Sequence, residues 1–132
     1  MGTYRYTRIG SEIPAIPIIP LELIKPGRFE RPSVIGQGIL DTGSDCTLIP
    51  IPWLMQVQAQ VADRPTRIPV GGVVSLAIPY EVGLRFDQHR HLVFRVYGCS
   101  IDEIGDLAIV GRDLLNLYVV EFNGLEGVFS IT

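Results

Sequence analysis

The chain has 132 residues, of which 47% are hydrophobic and only 19% charged, and its net charge is -3. That length fits one domain of the usual ~100–200 residues, and the apolar content excludes intrinsic disorder. The mild negative charge and the lack of any long basic run argue against nucleic acid or an anionic membrane surface as the main partner.

Fourteen glycines and ten prolines disfavour a helical bundle and favour many short elements. Residues 1–10 hold no apolar core of a signal peptide. The myristoylation pattern fails at Tyr6, and no run approaches the ~18 apolar residues of a membrane span. The expected setting is therefore cytoplasmic. The two cysteines, Cys46 and Cys99, are too few for a disulfide scaffold and read as free buried thiols.

Pro14 to Pro26 carries prolines every three to six residues, which forbids a helix and suits an extended edge or surface strand. Val34–Leu40 and Cys46–Ile51 read as strands flanking the polar turn Asp41-Thr42-Gly43-Ser44. From Pro52 to Ala62, apolar Trp53, Leu54, Val57 and Val61 fall at helical spacing, which predicts a helix. The paired glycines of Val70-Gly71-Gly72-Val73 predict a hairpin tip. Val73–Phe86 and Leu92–Tyr97 follow as strands, rich in β-branched and aromatic residues. Leu107–Val110 is a short apolar strand ending at Gly111, and Arg112–Leu117 a helical turn. A terminal hairpin is expected from Tyr118–Phe122, Asn123-Gly124 and Val128–Ile131. The sum is mostly β, with one or two short helices.

The chemistry-bearing run is Gly38 to Pro50, G-I-L-D-T-G-S-D-C-T-L-I-P. An aspartate ends an apolar strand inside a tight turn. Its apolar flanks desolvate the carboxylate, while backbone N–H groups can hold it. By itself such a turn is an Asx turn, in which Asp41 caps its own backbone. A second apolar-Gly element, Leu107 to Leu115 (L-A-I-V-G-R-D-L-L), changes the weighing. Its Gly111 lies 70 residues after Asp41 (111 − 41).

With these elements the chain resembles the retropepsins, the single-domain aspartic proteases typified by retroviral proteases. Three motifs match in type and order: Ile39-Leu40-Asp41-Thr42-Gly43-Ser44, the hairpin Val70-Gly71-Gly72-Val73, and Ile109-Val110-Gly111-Arg112-Asp113. The likeness covers about Val34 to the C-terminus, with residues 1–30 as an N-terminal extension of one domain spanning 1–132. It implies an all-β, closed retropepsin-like fold with a flap hairpin. It also implies an aspartic endopeptidase acting as a homodimer on peptide or protein substrates, without metal or other cofactor.

Asp41 would be the catalytic carboxylate, and Thr42 would brace the two catalytic loops across the dimer. Gly43 would let the substrate backbone approach. The Ser44 hydroxyl would donate to the carboxylate and lower the pH optimum. Asp45 and Arg112 would pair and pin the loop to the terminal helix. Leu107 and Ile109 would face substrate side chains, with Val70, Gly71, Gly72 and Val73 closing over them. Gly111 would pack beneath the loop. Asp113 replaces the asparagine frequent after the Gly-Arg pair, and Val128–Thr132 is the best candidate for a strand that zips the dimer.

The chain holds one such aspartate turn, so a two-carboxylate site needs two copies. The alternative is a retropepsin-like dimeric interaction module without peptidase activity. An actin-like ATPase also places Asp-x-Gly-Ser after a strand, but needs a far longer two-lobed chain. Three further signals read as structural. His89-Arg90-His91 is a solvated strand end rather than a metal site, because no ligand partner sits at suitable spacing. Cys99 with Asp102 and Glu103 is an exposed turn. Cys46 is a small buried filler rather than a redox handle.

Overall fold

A computed structural model of the chain describes residues 2–27, 33–70, 72–86 and 91–132. Its strands, in order, are β1 (Gly2–Arg5), β2 (Ile18–Ile24), β3 (Ser33–Leu40), β4 (Leu48–Pro50), β5 (Gln60–Val61), β6 (Thr66–Val70), β7 (Val73–Phe86), β8 (Leu92–Cys99), β9 (Ala108–Val110), β10 (Val120–Asn123) and β11 (Val128–Ile131). Three short helices, α1 (Ile51–Gln56), α2 (Ile101–Ile104) and α3 (Arg112–Leu115), interrupt them. The fold is all-β, as the succession of predicted strands and the retropepsin resemblance imply. None of the described helices is long and apolar enough to cross a membrane.

The main sheet runs β2-β3-β9-β4-β8-β7, and β7 pairs back onto β2, so six strands close a ring. Two strand pairs in the ring are parallel, β3 with β9 and β4 with β8; the others are antiparallel. The 14-residue β7 is long enough to serve several neighbours. Its first third pairs with β6 as a hairpin, and its remainder pairs with β8, β5 and β2. Ring closure buries Leu21, Leu23, Val82, Leu84, Val96 and Val110 in one cluster. Trp53 of α1 covers that cluster. A Cβ on Gly36 would meet the Trp53 ring at 2.3 Å, so β3 passes beneath the indole only because residue 36 has no side chain.

Several sequence expectations change here. The proline-rich segment is not an edge: β2 pairs on both sides and is mostly buried. It tolerates Pro20 because the pairing with β7 begins one residue later, at Leu21. The helix expected over 52–62 stops after Gln56. Gln58 adopts a left-handed φ of 55°, its N–H donates to the Met55 carbonyl, and the Ala59 N–H reaches back to Leu54. These are the two bonds of a Schellman cap, built without the usual glycine, and they release Gln60 and Val61 to pair with β7. The exposed turn after Cys99 is the helix α2, capped by the Ser100 Oγ, which accepts the Asp102 N–H at 3.1 Å.

The N-terminal extension is woven into the structure. β1 pairs with β11, which also pairs with β10, so β11 is the middle of a three-stranded sheet. Val128–Thr132 therefore presents no free edge. The edges of that sheet belong to β1 and β10.

Candidate active site

Parallel pairing of β3 with β9 sets Leu40 against Val110. The two strands therefore end side by side, and Asp41 and Gly111 emerge at one end of the ring. The Asp41 N–H donates to the Val110 carbonyl at 2.9 Å and the Ser44 N–H to the Asp41 carbonyl at 3.1 Å, closing the turn. The half-buried Asp41 carboxylate accepts the Gly43 N–H through Oδ1 at 2.9 Å. This is an Asx turn as well as a candidate site, since the second carboxylate oxygen takes no hydrogen bond within the described residues.

Gly111 sits directly beneath the loop. A Cβ there would lie 2.4 Å from the Cys46 carbonyl oxygen and 2.5 Å from its carbon. Beyond it, Arg112 bonds the loop three times. Its N–H donates to the Ser44 carbonyl at 2.8 Å, its Nη1 to the Thr42 carbonyl at 2.8 Å, and its Nη2 to Asp45. The ion pair expected from the sequence is present. Both partners are exposed, so its contribution to stability is about 1 kcal/mol or less and its effect is to set the loop's shape.

Below this layer lies Thr47, fully buried. Its Oγ1 accepts the Gly111 N–H at 3.2 Å and donates to Asp113 Oδ1 at 2.8 Å, while its N–H donates to Asp113 Oδ2 at 3.0 Å. The Leu114 N–H is a third donor to Asp113, at 2.8 Å. Asp113 thus ties α3 to the strand leaving the loop. An amide at this position offers one acceptor oxygen where two carboxylate oxygens are used. Asp113→Asn should therefore cost about 1–3 kcal/mol of stability through a donor left unpaired near Thr47. Urea unfolding measures this, and a change below ~0.5 kcal/mol would show that the bracket carries no weight.

The Ser44 hydroxyl departs from expectation. Its single proton goes to the Cys46 carbonyl at 2.7 Å, not to the Asp41 carboxylate. Thr42 is exposed in the single chain. Burial, with Asp113 and Asp45 nearby, pushes the Cys46 thiol up to about 11. A protonated thiol is a poor nucleophile, but the side chain is half-buried rather than buried as the sequence suggests.

A cleft of about 360 Å³ opens beside the loop, lined by Asp41, Gly43, Ser44, Asp45, Leu48, Pro69, Val70, Gly72 and Ile109. The β6–β7 hairpin forms its roof. Val70 pairs with Val73 across a two-residue tip, where Gly72 takes a φ of 83°. Ile68 and Ala77 anchor the hairpin's base in a small core with Leu48 and Cys99, while Val73, Val74 and Leu76 toward the tip are exposed. The structure so gathers Asp41, Gly43, Ser44, Asp45, Val70, Gly72 and Ile109. Gly71 lies outside the described residues. Val73 lines an adjoining groove instead, and half-buried Leu107 is not among the cleft's described lining residues. Sequence reasoning missed Leu48 and Pro69. Their signals were adjacency to the aspartate loop and to the hairpin tip.

No protein-family model and no curated protein matches the chain by sequence. Among solved structures, EIAV protease complexed with the inhibitor HBY-793 superimposes with a TM-score of 0.59 at 17% identity, covering 82% of this chain and 92% of that one. The chain has a retropepsin-like fold. This agrees with the motif order, and its all-β architecture places the aspartate turn and the Gly-Arg element together.

The sequence's other polar candidates lie elsewhere. His89 and Arg90 are outside the described residues. His91 is not a solvated strand end; it is half-buried, with Nε2 2.7 Å from Glu22 Oε1, and Arg85 reaches the same oxygen at 3.0 Å. No group of three potential metal ligands occurs among the described residues.

Proposed function

We propose that the chain is an aspartic endopeptidase whose active site forms between two copies, each supplying Asp41. The observation that carries this reading is a single aspartate turn at the mouth of a roofed cleft, which would supply half of a two-carboxylate site. Two carboxylates about 3 Å apart cannot both ionise, so they share a proton around one water. The ionised member takes a proton from the water as it attacks the peptide carbonyl. The protonated member donates to the carbonyl oxygen, and a proton then passes to the leaving amine. The exposed Thr42, next to Asp41, would pack against its counterpart. The substrate would lie extended beneath the hairpin, with Ile109 and Val70 against its side chains.

The three-stranded sheet offers the route to pairing. Val119 exchanges both backbone bonds with Thr132. By strand alternation, the backbone groups of Val120 and Phe122 point away from β11, toward the free edge of β10. Exposed Leu117, Val119 and Leu125 lie beside that edge. Antiparallel pairing of β10 with its two-fold mate would make one continuous six-stranded sheet and satisfy those groups.

The test is cleavage of unstructured peptides at acid and neutral pH, with pepstatin as inhibitor. Pepstatin-sensitive cleavage is expected, with activity per chain rising with protein concentration as dimers form. Phe122→Pro removes an outward N–H and leaves the backbone bonds to β11 in place, and Phe122→Ala controls for the lost ring contact with Phe129 at 6.3 Å. Phe122→Pro should shift the chain toward monomer in sedimentation and lower activity at a fixed concentration. Stable dimers that cleave nothing would instead favour the interaction-module reading.

A further inference from the structure

We propose that the groove adjoining the cleft is a subsite for a cationic side chain of the bound peptide, with Glu103 as its charge-selecting wall. The proposal rests on the endopeptidase reading and names the substrate feature that the site selects.

The groove measures about 440 Å³ and is lined by Val70, Val73, Ser75, Glu103, Ile104 and Ile109. Val70 and Ile109 also line the catalytic cleft, so a peptide lying in one presents a neighbouring side chain to the other. Four of the six walls are aliphatic. The polar exceptions are Ser75 and Glu103. This is the reverse image of a lysine or arginine, which has an apolar stem and a charged tip.

Glu103 is held in place by the backbone of α2, its N–H donating to the Ser100 carbonyl at 3.0 Å. Its carboxylate makes no ion pair among the described residues. Its charge is felt in the wall behind it, where Cys99 is raised to about 11 by burial first and by Glu103 next. No lysine or arginine is among the described lining residues of either cavity. Of the other carboxylates there, Asp45 is already met by Arg112 and Asp41 is reserved for chemistry. A lysine or arginine entering the groove would bury its stem and meet an unpaired opposite charge. A glutamate would meet like charge, and a plain aliphatic chain would gain only the stem contacts.

The experiment measures binding of labelled peptides to the full chain carrying Asp41→Asn, so that nothing is consumed. Matched peptides carry lysine, norleucine or glutamate at each position in turn. At one position, lysine should bind about tenfold tighter than norleucine at low salt, with the margin shrinking as salt rises. Glu103→Gln should erase the margin, and Glu103→Lys should transfer the preference to glutamate. Equal affinities, a lysine preference that survives Glu103→Gln, or no binding of any peptide would overturn the subsite. Cleavage of the same peptides by the unmodified chain is scored separately. A Glu103-dependent binding preference without cleavage would refute the endopeptidase and uphold the groove. Cleavage without preference would do the opposite.

Discussion

Asp41→Asn is expected to remove nearly all peptide cleavage, with a loss of roughly 10²–10⁴-fold, the scale set by general acid–base catalysis. The fold should be untouched. An asparagine Oδ1 can still accept the Gly43 N–H that Asp41 Oδ1 accepts at 2.9 Å, so the Asx turn persists and stability should change by less than ~0.5 kcal/mol. The pairing of copies should also survive, since the proposed contact lies on β10. A mixing experiment adds a sharper readout. If each site uses an aspartate from both chains, an equal amount of variant converts about half of the active chains into dead mixed dimers under random pairing. At concentrations where the chains are mostly dimeric, activity should therefore fall to roughly half that of the same concentration of unmodified chain alone. Activity that stays constant on mixing would mean that each chain carries its own complete site, and retained cleavage by the pure variant would remove Asp41 from the chemistry.

Gly111→Ala carries the second large effect. The added methyl would lie 2.4–2.9 Å from three backbone atoms of Cys46, and backbone cannot swing away as a side-chain tip can. Either β9 retreats from the loop or the loop lifts. Retreat strains the Gly111 N–H bond to Thr47 and the Asp41 N–H bond to Val110. Overpacking of this kind costs about 1–3 kcal/mol, and the broken buried bonds add to it, so a loss near 3 kcal/mol is expected in urea unfolding. Cleavage should fall even where the variant remains folded, because Arg112 follows residue 111 and bonds Thr42 and Asp45. An alanine variant with unchanged stability and activity would show that the loop does not rest on this contact.

The parts of the site that were legible in the sequence are those written in adjacent residues. The run from Ile39 to Asp45 and the run from Ile109 to Arg112 are each read locally, and parallel pairing of β3 and β9 brings them together. The hairpin tip was legible because two successive glycines have few other uses. What escaped depends on contacts the chain makes at a distance or against its own propensity. The end of α1 was hidden because Gln58, not glycine, takes the left-handed position. The burial of β2 was hidden because its prolines suggest an edge, and only the register with β7 shows that Pro20 stands just outside the second pairing. The Ser44 proton has two candidate acceptors within reach in sequence, and only the folded loop decides for the Cys46 carbonyl. One miss had a usable signal. Ser100 followed three residues later by Glu103 is the pattern of a helix start, and α2 begins there.

The sheet β1-β11-β10 has a further consequence, in the timing of synthesis. Its register sets Gly2 against Ile131, a separation of 129 residues (131 − 2). The ring also closes across long stretches, with Leu21 against Phe86 and Gly38 against Ala108. Contacts this remote in sequence make folding slow and late. Until Ile131 has left the ribosome, β1 and β10 have no β11 between them, and the proposed meeting edge is unformed. A nascent chain short of Ile131 would therefore hold an aspartate turn but no edge to offer a partner, and the proposed pairing of two copies could begin only once β11 is in place.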